Sequence, residues 1–165
     1  MKIRRAEPTD APHIARGERD TAAVPGLLVG RPGEIAPDAY AAKIAALAPL
    51  GCYWVAEDSG AVIAHAFLDP MTMAANAHVF HLNIVVHPGF TGRGVGTALM
   101  RELLTWARTH AALEKIELLV RETNAPARSL YERCGFVEEG RLRHRVKTEA
   151  GEHVDDIAMA WFPPR

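Results

Sequence analysis

Apolar residues return along this chain in two rhythms. At Val95, Leu99, Leu103, Trp106 and His110 they recur every three or four positions, as on one face of a helix. Over 52–57 and 61–68 they form short strand-like runs around Asp58-Ser59-Gly60, a hairpin signal. From the start of the chain, residues 1–6 predict a strand, and Thr9-Asp10 with Pro12 predicts a helix cap leading through Ile14 towards Arg19. Residues 21–36 hold Pro25, Gly26, Gly30, Pro32 and Gly33 with little periodicity, which predicts a long loop of the kind that forms lids or binding walls. Pro37-Asp38 opens a second helix carrying Tyr40, Ile44 and Leu47, stopped at Pro49-Leu50-Gly51.

After the hairpin and a loop over 69–77, residues 78–86 read as a strand. Residues 115–120 are the next strand, and 124–134 a helix with Ala127, Leu130, Tyr131 and Cys134 on one face, closed by Gly135. Residues 136–147 and 152–161 make a last hairpin across Ala150-Gly151. The order β-α-α-β-β-β-α-β-α-β-β predicts a mixed α/β sheet in a single domain over 1–165, without repeat or linker.

Charge and composition narrow the function. A net charge of -1 on 165 residues gives no basic stripe for nucleic acid. Arg141, Arg143, Arg145 and Lys147 are followed by Glu149, Glu152, Asp155 and Asp156, which suits a solvated hairpin face. No apolar run approaches the roughly 20 residues that span a bilayer, so no membrane partner and a cytoplasmic location are expected. The two cysteines, Cys52 and Cys134, have no metal or redox spacing. They are expected to be buried structural thiols, with no metal and no acyl-cysteine chemistry.

The stretch Ile84-Val85-Val86-His87-Pro88-Gly89-Phe90-Thr91-Gly92-Arg93-Gly94-Val95-Gly96-Thr97 carries the candidate chemistry. It reads as a buried strand, a glycine loop and a helix start. Alternating Gly92, Gly94 and Gly96 let backbone approach a ligand closely. The helix N-terminus behind them offers unpaired N–H groups to a phosphate or pyrophosphate. A dinucleotide-binding enzyme would need a third small residue where Thr97-Ala98-Leu99 continues, and βαβ units ahead of the loop.

Together with Asn124-Ala125-Pro126-Ala127-Arg128-Ser129-Leu130-Tyr131-Glu132-Arg133-Cys134-Gly135-Phe136, the glycine loop resembles the GCN5-related N-acetyltransferase (GNAT) superfamily. Thr91-Gly92-Arg93-Gly94-Val95-Gly96 matches its pyrophosphate loop, with Thr91 where Gln or Arg is usual, and the second segment matches Asn-x-x-Ala-x-x-Leu-Tyr-x-x-x-Gly-Phe. The tail Glu139-Gly140-Arg141-Leu142-Arg143 with Val154-Asp155 and Met159 is most similar to small bacterial amino-acid, phosphinothricin-type or ribosomal-protein-type enzymes.

The resemblance implies a mostly antiparallel mixed sheet, flanked by helices and splayed at the cofactor site. It implies acetyl-CoA as donor, a primary amine as acceptor, direct transfer, and a homodimer as a common assembly. Thr91, Gly92, Arg93, Gly94, Val95, Gly96 and Thr97 would hold the pyrophosphate. Ile84, Val85 and Val86 would bond the pantetheine arm, with Val85 or Val86 polarising the acetyl carbonyl. Asn124 and Ala127 would contact the cofactor, and Tyr131 would protonate the leaving thiolate. On helix spacing alone Tyr131 could be a packing residue and Asn124 an N-cap. His81 and Glu117, strand residues with titratable heads, are the base candidates. A non-catalytic acyl-CoA-binding module with the same pocket is the alternative.

Overall fold

The computed structural model describes residues 1–28 and 30–164; Val29, inside the expected 21–36 loop, and Arg165 lie outside them. Seven strands form one sheet: β1 (Lys2–Arg5), β2 (Cys52–Asp58), β3 (Ala61–Pro70), β4 (Val79–Val86), β5 (Lys115–Arg121), β6 (Val137–Lys147) and β7 (His153–Trp161). Their spatial order is β1-β2-β3-β4-β5-β7-β6. Every neighbouring pair is antiparallel except β4 and β5. The helices are α1 (Ala11–Ala22), α2 (Pro37–Leu47), α3 (Val95–Thr109) and α4 (Ala125–Arg133). The expected element order is therefore the observed one.

Alternation along β4 divides the core between the two faces of the sheet. Phe80, Leu82, Ile84 and Val86 point to the side where α3 lays down Val95, Leu99, Met100 and Leu103. Leu99, Met100 and Leu103 are fully buried. Each such side chain contributes about 1.5–3 kcal/mol of transfer free energy, which explains the helical rhythm read from this segment. On the opposite face Ile14 of α1 and Ile44 and Leu47 of α2 pack over Tyr53 and Val55. Helix α1 lies so close there that a Cβ on Gly17 would fall 2.1 Å from His87 Cε1.

One local expectation takes a different form. Asp10 is the N-cap of α1 but makes no side-chain cap bond. Its carboxylate instead accepts two 2.8 Å bonds from the Arg4 guanidinium and one from the Glu7 N–H. Burial alone would raise its pKa, yet these donors hold it below the usual carboxylate range. The residue therefore ties β1 to the start of α1.

Candidate active site

The parallel ladder of β4 and β5 lasts for only three facing pairs, Val79–Lys115, Phe80–Ile116 and His81–Glu117. Beyond them the strands diverge, while β4 stays paired with β3 as far as Val86 opposite Ala64. The direction of each peptide group follows from the bonds at the two ends. Met71 N–H donates to Val79 C=O, and His87 N–H to Ile63 C=O, so odd positions of β4 face β3. His78 C=O accepts from Glu114 N–H, so even positions face β5. The main-chain groups of Ile84 and Val86 thus open into the gap, whereas those of Val85 are spent on His65 of β3. Of the two expected carbonyl donors the register leaves Val86; Val85 is corrected to a residue that presents only its side chain.

Below the gap the chain turns through Gly89, Gly92 and Gly94 at φ of 85°, 73° and 79°, backbone that L side chains rarely adopt. A Cβ on Gly92 or Gly94 would meet nothing within 4 Å, so backbone conformation rather than crowding requires glycine there. Gly94 is the N-cap of α3 and carries no side-chain cap, leaving the first-turn N–H groups bare. Gly96 differs: a Cβ there would stand 3.1 Å from Leu130 Cδ2, so this glycine serves the close packing of α3 against α4. Thr91, Gly92, Gly94, Val95, Gly96 and Thr97 line a cleft of about 580 Å³ that continues past Val86 to Tyr131. Arg93 is not among the lining residues, and its guanidinium lies 5.4 Å from the centre of the ring of Phe90, which is.

Helix α4 closes the cleft on the other side. Asn124 Oδ1 accepts from Ala127 N–H at 3.2 Å, so the capping reading of Asn124 holds, and both residues also line the cleft. Tyr131 packs its ring 5.8 Å from that of Phe136 and is 7% exposed, with burial pushing its phenol up to about 12. Packing and access to the cleft coexist at this residue. Burial also pushes the Cys52 thiol up to about 11 and raises that of Cys134, so both are kept protonated and unreactive.

A second cleft of about 660 Å³ opens on the α1 side of the sheet and meets the first at Ile84, Val85, Asn124, Ala127 and Tyr131. Its outer wall includes Leu27, Leu28, Gly30 and Ile35, so part of the long loop lines this cleft. His81 lies on this wall; the residue is exposed overall, yet enough protein surrounds its ring to lower its pKa through burial. Glu117 does not line either cleft. It is half-buried 3.5 Å from Lys115, which also holds Glu139 at 2.7 Å. Of the two base candidates, Glu117 therefore sits where the strands part, outside both clefts, with its carboxylate beside a lysine.

Three lining residues were missed by sequence reasoning. Glu18 was legible in principle, as a charge on the apolar stripe Ala11, Ile14, Ala15 of α1. Arg145, read as part of a solvated face, reaches the second cleft because β6 folds back beside β7. Arg121 faces Asp156 across β5 and β7 and forms a buried ion pair with it on the cleft floor. No sequence spacing joins those two.

Comparison with known proteins agrees with this geometry. The sequence profile of the Acetyltransferase (GNAT) family matches residues 26–136. An L-amino acid N-acetyltransferase of Escherichia coli is 35% identical over 101 residues, covering 61% of this chain and 62% of that protein. A ribosomal protein bS18-alanine N-acetyltransferase of Salmonella typhimurium is 38% identical over 78 residues, 47% of this chain and 51% of the relative. The matches thus span roughly half to three-fifths of these relatives' lengths. A Salmonella typhimurium acetyltransferase structure holding acetyl-CoA superposes with a TM-score of 0.90 at 20% identity, covering 100% of this chain and 95% of the other. A GCN5-related N-acetyltransferase from Kribbella flavida does so at 0.83 with 26% identity, covering 98% and 96%. With its family profile spanning the glycine loop and α4, and the diverging strands between them, this chain belongs to the GNAT acetyltransferase family.

Proposed function

We propose that this protein transfers an acetyl group from acetyl-CoA to a primary amine, directly and without an acyl-enzyme. The observation that carries the reading is the gap between β4 and β5, where two clefts meet at Tyr131 with the peptide groups of Ile84 and Val86 turned into it. Acetyl-CoA fits what lines the first cleft. The bared N–H groups from Gly92 to Thr97 suit a diphosphate, and the open edge of β4 suits the amide-bearing pantetheine arm. Bound there, the cofactor would supply an activated thioester carbonyl.

The chain's own groups then divide the work. Val86 N–H, unpaired by any strand, supports an oxygen on which negative charge develops. Tyr131 keeps its proton at every ordinary pH and offers it to the departing sulfur. Its raised pKa does not oppose this role, because the same dry surroundings raise the basicity of a thiolate. His81, its pKa lowered by burial, is neutral at pH 7 and is the sequence-predicted base that reaches the acceptor cleft.

The apolar wall of Leu27, Leu28, Ile35 and Leu119 supports acceptors with an apolar body. The name of the E. coli relative supports an amino acid among them. Incubation with acetyl-CoA and a panel of primary amines, followed by thiol release, tests the reading. Amine-dependent release is expected; tight CoA binding with no release on any amine would favour a binding module.

A further inference from the structure

On the α1 face of the sheet, beside the gap, sits a buried carboxylate that, among the described residues, pairs with no lysine or arginine. Glu18 Oε1 stands 3.1 Å from His65 Nε2, and the two side chains are 9% and 0% exposed. His65 Nδ1 shares a 3.0 Å hydrogen bond with the Tyr53 hydroxyl. A bare Nε2 would set its lone pair against the carboxylate, so a proton belongs on Nε2. The Nε2 contact nonetheless falls short of hydrogen-bond geometry.

Among the described residues, no lysine or arginine nitrogen forms an ion pair with Glu18. The nearest cation in sequence, Arg19, turns away and donates to Ile35 C=O at 3.0 and 2.8 Å. Arg121, in the same cleft, is committed to Asp156. A carboxylate withdrawn from water needs a counter-charge, and Glu18 lines the second cleft, where a ligand could supply one.

A second observation points to the same place. Asn83 Oδ1 is buried, has no hydrogen-bond partner, and belongs to a residue lining that cleft. Asn83 and Val85 are alternate residues of β4, and Val85 faces His65 across β3, so Asn83, His65 and Glu18 share one face at the gap. A carboxylate without a lysine or arginine partner and an amide oxygen without a hydrogen bond, beside an apolar wall, make a seat for an ammonium head carrying an apolar body.

We propose that Glu18, with Asn83, binds the ammonium group of the acceptor and makes the second cleft selective for positively charged amines. This rests on the acetyl-transfer reading and deepens it: Glu18 is a specificity-determining contact, and proton removal is left to other groups.

The test uses the full chain loaded with CoA and titrated calorimetrically at pH 7 with phenethylammonium and with its uncharged analogue 2-phenylethanol. The wild type is expected to bind the ammonium at least tenfold more tightly than the alcohol. Glu18→Gln is expected to lose that preference while CoA affinity stays within about twofold. Retention of the preference in Glu18→Gln overturns the proposal, as does equal or absent binding of both probes by CoA-loaded wild type. Should Glu18→Gln not fold, carboxyl-carbon NMR of the wild type decides: the ammonium, and not the alcohol, must shift the Glu18 signal. A wild type that ignores CoA altogether would instead sink the acetyl-transfer reading.

Discussion

His81 and Glu117 are the last facing residues of the parallel β4–β5 ladder, and the sheet opens immediately beyond them. They sit side by side, yet only His81 lines the second cleft. Glu117 is held back by Lys115 at 3.5 Å. Replacing Glu117 by Gln should therefore change kcat by less than about threefold, a shift too small for loss of a general base, which typically contributes 10²–10⁴-fold. Steady-state thiol release from both variants checks this: His81→Gln is expected to lower the rate by at least tenfold, and the reverse ranking would restore Glu117.

Tyr131 has access to both clefts. Tyr131→Phe keeps the ring against Phe136 and removes only the hydroxyl. Turnover should fall by about 10²-fold, within the range for a lost general acid, with CoA affinity within about threefold. Unchanged turnover would reduce the residue to packing.

Gly94 and Gly96 should fail for different reasons. At Gly94, with φ of 79°, valine forces the loop out of its left-handed turn. At Gly96 the branched side chain meets Leu130 and pushes α4 off α3. Both variants should lose CoA binding by calorimetry, and Gly96→Val should also melt at a lower temperature. Full CoA affinity in Gly94→Val would refute the loop as the diphosphate site.

His87 is 5% exposed, and burial, with His65 nearby, lowers its pKa to about 4. The unfolded chain takes up this proton near pH 6.5, while the folded one resists it until about pH 4. Stability is therefore full above about pH 6.5 and falls as pH drops towards 4, by at most about 3 kcal/mol for this group. Urea unfolding at pH 7.5 and 5.0 should show the loss in the wild type and a smaller one in His87→Gln.

The Arg121–Asp156 pair is 7% and 2% exposed. Arg121→Met alone leaves a buried carboxylate and should cost about 3–5 kcal/mol. Arg121→Met combined with Asp156→Leu should recover most of the melting temperature. A double variant no better than the single would mean that the cleft floor needs the charges themselves.

The order of strands and helices, the glycine loop, the N-cap at Asn124 and the place of Tyr131 were all legible in the sequence. Each is encoded locally, by the spacing of apolar residues or by a residue type that one backbone conformation demands. What the sequence could not supply is where two strands stop pairing. Whether Val85 or Val86 turns its N–H into the gap depends on register with β3, and whether His81 or Glu117 lines the second cleft depends on the parting of β4 from β5. Glu18 gains its meaning only when α1 is laid across β3 and sets the carboxylate against His65, 47 positions away in the chain and 3.1 Å away in space. Local spacing determines which elements form, but pairing and burial between distant segments decide which polar groups are left without a partner, and those groups make the site.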